Sequence, residues 1–401
     1  MPVSLGIARR AGRYTVALGL AVLACSPADT GAGSGGTATP GSDGASGDPP
    51  ATATETTTPP PATGGGSSGE ASTAASLDTT ATDDSTGEGM QCEPVSSCQA
   101  PLPNAGPTID WEHFESSLVV ASGSSRHRGR DMFYNPGDTQ WVMAKFAYGL
   151  TDWDLEDERV DLFLLRNCEG EWEGLGSTFT TYEDDHPTVE GVVDTGGRLY
   201  FQIPEPLPVG RHRIHMVVRG DDTRADTYLE IVEPGTPIIL SDIDGTLTTF
   251  EWERFVDFLL DTVPDANPGS PEALHLLVER GYRPMYLTAR PEFLGDRTYA
   301  FIEERGFPPG IIHTTLSATG AMGSAAVEYK AAEFAVLASR GLVPAWVFGN
   351  TDSDAEAYDI SGIQPLEQRI FFQHEDPFGG RTIESYNELL GEFATLPNVC
   401  Q

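Results

Sequence analysis

The stretch Pro237–Thr248, P-I-I-L-S-D-I-D-G-T-L-T, most constrains what this 401-residue chain can become. Ile238, Ile239 and Leu240 carry no polar break, as a strand covered on both faces of a parallel sheet requires. Asp242 and Asp244 follow, two residues apart. Alternate residues of an extended segment point the same way, so both carboxylates can face one site. Gly245 then lets the backbone turn sharply. Carboxylates at the C-terminal edge of a buried strand stand where open α/β sheets take their ligands.

The rest of the carboxyl half predicts a sheet around that strand. Strands are expected at Pro284–Leu287, Ile311–Thr315, Ala345–Phe348 and Arg369–Phe372. They alternate with helices expected at Trp252–Asp261, Pro271–Arg280, Arg297–Arg305, Ser324–Gly341 and Thr382–Phe393. That alternation is the pattern of a doubly wound parallel sheet. Tyr286–Pro291, Y-L-T-A-R-P, ends a strand in Thr288, whose hydroxyl can donate to a phosphoryl oxygen, and Arg290, whose fork suits phosphate. Lys330 lies in A-V-E-Y-K-A-A-E-F and is, with Lys145, one of two lysines among 24 basic residues. Such sparing use points to a need for a compact point charge, although a surface helix lysine would read alike. Phe348–Tyr358, F-G-N-T-D-S-D-A-E-A-Y, opens an apolar strand into a glycine turn bearing Asn350, Asp352 and Asp354. Carboxylate oxygens there suit Mg²⁺; an acidic first helical turn is the alternative reading of the two aspartates.

Asp-x-Asp-Gly-Thr-Leu-Thr resembles the first motif of the haloacid dehalogenase superfamily of phosphotransferases. With Y-L-T-A-R-P, E-Y-K-x-x-E-F and F-G-N-x-x-x-D-x-x-A-Y behind it, Pro237 to about Phe372 resembles the catalytic domain of the lipin family of Mg²⁺-dependent phosphatidate phosphatases. The related LNS2 domains of phosphatidylinositol-transfer proteins share the pattern. The resemblance implies an α/β, haloacid dehalogenase-like doubly wound domain over residues 235–401. It implies that Asp242 attacks phosphorus, that Asp244 acts as general acid and then base, and that Thr288 and Lys330 hold phosphoryl oxygens. Thr246, Arg290 and Asn350 would contact substrate, and Mg²⁺ would sit on Asp242, Asp244 (through its carbonyl) and Asp354. The implied reaction is phosphomonoester hydrolysis, foremost phosphatidate to diacylglycerol. A phosphatase for soluble phosphomonoesters and a non-catalytic phosphatidate-binding surface protein are the alternatives. Some LNS2 domains lack the first-motif nucleophile; both aspartates are present here, and Thr288-Ala289-Arg290 keeps the hydroxyl of the family's Ser-Ala-Arg.

Residues 99–234 predict an immunoglobulin-like β-sandwich, as lipins also carry. Short runs fall at Ser117–Ala121, Gln140–Tyr148, Val160–Arg166, Thr178–Tyr182, Arg198–Ile203, His212–Val218 and Thr227–Val232, separated by turn residues. Arg126-His127-Arg128-Gly129-Arg130 reads as a solvated basic loop or as a phosphate-headgroup contact. Trp141, Trp153 and Trp172 read as packing residues or lipid contacts.

Residues 25–98, rich in Thr, Gly, Ser, Ala and Pro, predict a disordered tether with a reach of about 45 Å. Residues 1–24 place Arg9, Arg10 and Arg13 before the apolar run Tyr14–Ala24, which ends V-L-A-C-S. This resembles a bacterial lipobox: a leader cleaved before Cys25, acylation of its sulfur, and export to the periplasmic or cell-surface face of a membrane. An ordinary secretory leader with an incidental cysteine is the alternative. Of the formal net charge of −36, about −30 belongs to the folded part, which excludes nucleic acid as a general partner. The partners that remain are a phospholipid or other phosphomonoester and a membrane reached through the anchor. Apart from Cys25, Cys92, Cys98, Cys168 and Cys400 form an even set suited to an oxidising compartment. The shortest loop joins Cys92 to Cys98 and leaves Cys168 for Cys400, with other pairings open.

Overall fold

Alternating apolar residues build the amino-terminal domain as two facing sheets. In this computed structural model the described residues are 92–249, 263–342 and 344–400. All lie in Thr82–Gln401, the larger of two units, the other being Met1–Ala81. The leader, Cys25, nearly all of the tether and the helix expected at Trp252–Asp261 lie outside the described residues.

One sheet of the sandwich contains β1 (Arg128–Arg130), β3 (Trp141–Lys145) and β8 (Arg198–Gln202). The other orders β2 (Met132–Tyr134), β10 (Arg224–Ile231), β9 (Gly210–Val218), β6 (Arg159–Leu165) and β7 (Glu173–Phe179). Strands β4 (Ala147–Tyr148) and β5 (Trp153–Asp154) form a separate pair. Val142, Ala144 and Leu199 of the first sheet share a core with Leu162, Leu164, Ile214, Met216 and Leu229 of the second. Ser117–Ala121, expected as a strand, belongs instead to helix α1 (Phe114–Ala121). Val119 and Val120 favour a strand by propensity, but tertiary contacts override it. Glu158 accepts the backbone N–H groups of Glu112 and His113 at 3.1 and 3.0 Å and the Ser116 hydroxyl at 2.6 Å, so it caps the helix from outside.

The disulfides join Cys92 to Cys400 and Cys98 to Cys168, which corrects the pairing expected from loop length. The carboxyl terminus returns to the start of the folded chain, where Val399 donates its N–H to the Arg280 carbonyl at 2.7 Å. Residues 92–98, expected in the tether, are thereby fixed at one end to the carboxyl-terminal residues and at the other to the sandwich.

The second domain surrounds β11 (Ile238–Ser241) with β12 (Arg283–Leu287), β13 (Ile311–His313), β14 (Pro344–Gly349), β15 (Arg369–Phe372) and β16 (Arg381–Ile383). Their order is β13-β12-β11-β14-β15-β16, and every neighbouring pair is parallel. Ile239 packs with Leu274 and Leu277 of α2 (Ser270–Glu279), Phe301 of α3 (Gly295–Glu304) and Leu389 of α6 (Asn387–Phe393). Ile238 and Leu240 face the opposite layer, with Phe334 and Leu337 of α4 (Ser324–Ser339) and Tyr358 of α5 (Asp352–Ile360). The apolar run is thus buried from both sides. The helix expected over Thr382–Phe393 divides, its β-branched start joining the sheet as β16 and only its end forming α6. Strands run outward from β11 in both directions, so the crossovers change face between β11 and β14. That switch leaves a crevice at their C-terminal ends.

The sandwich closes one edge of this sheet. Phe133 and Val232 enter the core beneath α4, and Asp131 accepts the outward N–H of Ile312 in edge strand β13 at 3.0 Å. Arg128 and Arg130 of the basic cluster turn inward instead of forming a solvated loop. Arg128 is buried and Arg130 partly so; Arg130 pairs with Glu333 at 2.6 Å, and Arg128 bridges Asp152 at 2.7 Å and Glu292 at 3.2 Å. Arg126 lies over the Phe293 ring at 4.9 Å. Trp141 and Trp172 are partly buried, whereas Trp153 is 53% exposed.

Candidate active site

The crevice gathers all four motif segments. Asp242 continues the ladder one residue beyond β11, donating its N–H to the Phe348 carbonyl of β14 at 2.9 Å. Gly245 has φ 74°, which brings Thr246 back under Asp242. Thr246 donates its hydroxyl to Asp242 Oδ2 at 3.1 Å and stands 2.8 Å from Asn350 Oδ1. Asn267 secures this loop through one side-chain nitrogen within 3.2 Å of the Gly245, Thr246 and Thr248 carbonyls. Tyr386 donates its hydroxyl to the Thr246 carbonyl at 3.1 Å. Neither Asn267 nor Tyr386 stood out in the sequence, because a residue that fastens carbonyls carries no spacing signal.

Lys330 reaches the site from α4. Its Nζ donates to Asp242 Oδ1 at 2.7 Å and also bonds Asp354 Oδ1. All three side chains are nearly sealed from solvent. Asp354 is at the same time the third residue of α5. Its Oδ2 accepts from the Asn350 N–H at 3.1 Å, the Thr351 N–H at 3.1 Å and the Thr351 hydroxyl at 2.8 Å, closing a capping box. Gly349 is required just before it, since a Cβ there would lie 2.5 Å from the Asp354 Cβ. Asp352 points outward, 82% exposed, and pairs with His374 at 3.1 Å.

The second motif meets Asp244. Thr288 donates to Asp244 Oδ2 at 2.8 Å, and Arg290 forks onto the same carboxylate, Nε at 3.0 Å and Nη2 at 2.7 Å. Two charge groups result. Asp244 and Arg290 form a neutral pair, while Lys330 stands between two carboxylates. Burial, together with the Asp354 and Asp244 charges, outweighs Lys330 and pushes the Asp242 carboxyl up to about 7. Lys330 is held above its ordinary value because Asp242 and Asp354 outweigh the cost of its burial.

Among the described residues no cluster of three or more His, Cys, Asp or Glu side chains is spaced to hold a metal ion. The Asp244 carboxylate is engaged by Arg290 and Thr288, so its backbone carbonyl is what it can offer a cation. That carbonyl accepts no hydrogen bond among the described residues. With the Asp242 and Asp354 carboxylates, whose oxygens here meet Lys330, Thr246 and the Asn350–Thr351 turn, it would make a set of hard oxygens of the kind Mg²⁺ takes. A cleft of about 480 Å³ opens beside the loop, lined by Gly245, Thr248, Asn267, Asn350 and Phe372.

Residues 125–231 match the family model for the β-sandwich domain of PITM 1-3, and residues 239–372 match the model for the LNS2 domain of the same proteins. Protein retinal degeneration B of Drosophila melanogaster is 29% identical over 210 residues, 51% of this chain and 15% of that protein. Human membrane-associated phosphatidylinositol transfer protein 1 is 27% identical over 212 residues, 52% of this chain and 16% of the relative. Human membrane-associated phosphatidylinositol transfer protein 3 is 26% identical over 217 residues, 53% of this chain and 20% of the relative. The similarity thus spans at most a fifth of each of these relatives. No helix of the described residues is long and apolar enough to cross a membrane. The chain carries a β-sandwich domain of the PITM type followed by an LNS2-type domain.

Proposed function

We propose that this chain is a Mg²⁺-dependent phosphomonoesterase of the haloacid dehalogenase type that converts phosphatidate to diacylglycerol. The observation that carries this reading is the meeting of Asp242, Lys330 and Asp354, from three separate elements, at the switch point of a parallel sheet. Asp242 attacks phosphorus and expels the alkoxide, leaving an aspartyl-phosphate. Thr288 and Arg290 hold Asp244 beside it. An incoming phosphoryl group competes for those same donors, which loosens their hold on Asp244. Released from Arg290, Asp244 takes up a proton from solvent, gives it to the leaving oxygen and then takes one from the water that attacks phosphorus, which frees phosphate and restores Asp242. Lys330 and Thr246 keep Asp242 in place and meet phosphoryl oxygens, and Asn350 orients the substrate from the cleft. The Asp242 and Asp354 carboxylates and the Asp244 carbonyl would hold Mg²⁺, which would offset the negative charge of the phosphoryl group.

The lipid substrate rests on the lipin-like motifs and on relatives named as phosphatidylinositol transfer proteins. Export and anchoring through Cys25 complete the reading and place the site near a membrane surface. Phosphate release from phosphatidate micelles and from a sugar phosphate, with Mg²⁺ or EDTA, tests it alongside Asp242→Asn. Magnesium-dependent release from phosphatidate, lost in the variant, supports it. Preference for the sugar phosphate points to a soluble substrate. Phosphatidate binding without release makes this a binding protein, a reading favoured by the Arg290 fork that ties down Asp244.

A further inference from the structure

The arginines at the domain boundary grip the segments that carry the catalytic groups. Glu333 lies one turn after Lys330 on α4, so the two share a face. Arg130 of the sandwich bonds Glu333 Oε1 at 2.6 Å and the Thr314 carbonyl at 3.2 Å. The other Glu333 oxygen meets His313 Nδ1 at 2.7 Å, and His313 Nε2 lies 2.6 Å from the Asp131 carbonyl of the sandwich. His313 also accepts the Thr288 N–H through its own carbonyl at 2.9 Å. A second grip falls two residues after Arg290. Glu292 is forked by Arg198 at 2.5 and 3.0 Å and bonded by Arg128 at 3.2 Å, all three side chains being largely buried.

These contacts are strong and directional. Burial opposes ionisation of Glu333, yet Arg130 and His313 outweigh it and hold the carboxyl at about 2. Arg128 and Arg198 likewise outweigh the burial of Glu292 and keep it below the usual carboxylate range. Phe133 and Val232 pack beneath α4, and the contacts to both Glu333 oxygens one turn from Lys330 add a directional hold to that apolar one.

We infer that the β-sandwich is part of the catalytic apparatus: Arg130, through Glu333, positions Lys330 against Asp242, and Arg128 with Arg198, through Glu292, positions Arg290. None of the three arginines need touch substrate. The consequence for turnover rests on the phosphatase reading, but the positioning itself can be read without turnover. The chain has only two lysines, Lys145 and Lys330. Lys145 is buried inside the sandwich on Asp154 at 2.6 Å and serves as an internal reference.

The test compares the whole chain with Arg130→Met/Glu333→Gln, which removes both members of the Arg130–Glu333 pair together and so strands neither of them. Acetic anhydride labelling followed by mass spectrometry reads Lys330 against Lys145. Labelling of Lys330 should rise about fivefold or more, as expected when a charge-assisted contact is lost from a local opening equilibrium. With a soluble phosphomonoester, kcat should fall by about 10- to 100-fold while KM changes little, the signature of a displaced catalytic group. Arg130→Lys, which keeps the charge, should recover part of both losses and stands in if the double variant does not fold. Unchanged Lys330 labelling in a folded variant would overturn the inference. If the wild-type chain releases no phosphate at all, the phosphatase reading fails, and Lys330 labelling still decides the positioning.

Discussion

Gly349→Ala isolates the site with one methyl group. The backbone there does not need glycine for its torsion angles, so the effect is purely one of space. The new Cβ would stand 2.5 Å from Asp354 Cβ, 2.8 Å from its Cγ and 3.0 Å from Oδ2. Carbon atoms rest about 3.5–4 Å apart, so Asp354 must retreat by about 1 Å. It has nowhere to go without breaking bonds, since Oδ2 holds the capping box and Oδ1 holds Lys330. A lost cap costs about 1 kcal/mol and overpacking about 1–3 kcal/mol, so stability should fall by about 2–4 kcal/mol. A displacement of that size at a catalytic group should lower kcat about 100-fold. Urea unfolding and phosphate release measure the two effects. Gly391→Ala is the control: nothing lies within 4 Å of its would-be Cβ in α6, and it should stabilise by about 0.5–1 kcal/mol. If Gly349→Ala retained wild-type stability and turnover, the reasoning that Asp354 is held in one place would be refuted.

Chelation by EDTA should abolish phosphate release while the far-ultraviolet circular dichroism spectrum stays unchanged, because both domain cores are built of apolar side chains. His127 is buried, accepts the Ala147 N–H at 3.3 Å and stands 2.8 Å from the Thr223 hydroxyl, so it is kept neutral; burial lowers it to about 4. Its contribution is therefore complete above pH 6.5 and lost as pH falls towards 4, about 3 kcal/mol in all. Unfolding at pH 7 and pH 4.5 should show the gap between wild type and His127→Asn narrowing with acid; a constant gap contradicts it. Loss of the Cys98–Cys168 bridge, which closes a separation of 70 residues, should destabilise the chain by about 4 kcal/mol, and full reduction, which also opens Cys92–Cys400, by more. Cys98→Ser should show the first of these losses in non-reducing urea titrations.

What the sequence reveals here is what short-range pattern can carry. The apolar run Ile238–Leu240, the turn at Gly245 and the alternation of strands and helices locate the parallel sheet and the end at which its crevice opens. Lys330 is legible because lysine is so sparsely used. Partners chosen across the fold leave no such trace. Arg128 and Arg130 look like a surface patch until Glu292 and Glu333, more than 160 residues away, are placed opposite them. Yet Glu333 sits inside the same E-Y-K-x-x-E-F segment as Lys330, and a second acid one turn along is the signal that could have pointed to the clamp. Thr288 and Arg290 read as phosphate contacts, whereas here their donors meet Asp244, a partner 44 and 46 residues away in the chain. The disulfides follow the return of the carboxyl terminus and not the shortest loop.

The central claim is that Asp242 is a nucleophile, and it can be tested by trapping. Adding borohydride during turnover of phosphatidate with Mg²⁺ reduces an aspartyl-phosphate to homoserine, which peptide mass spectrometry locates. The account predicts homoserine at position 242, absent without substrate and absent without Mg²⁺. Continued phosphate release with residue 242 unmodified, under quench conditions that capture a known acyl phosphate, would contradict it.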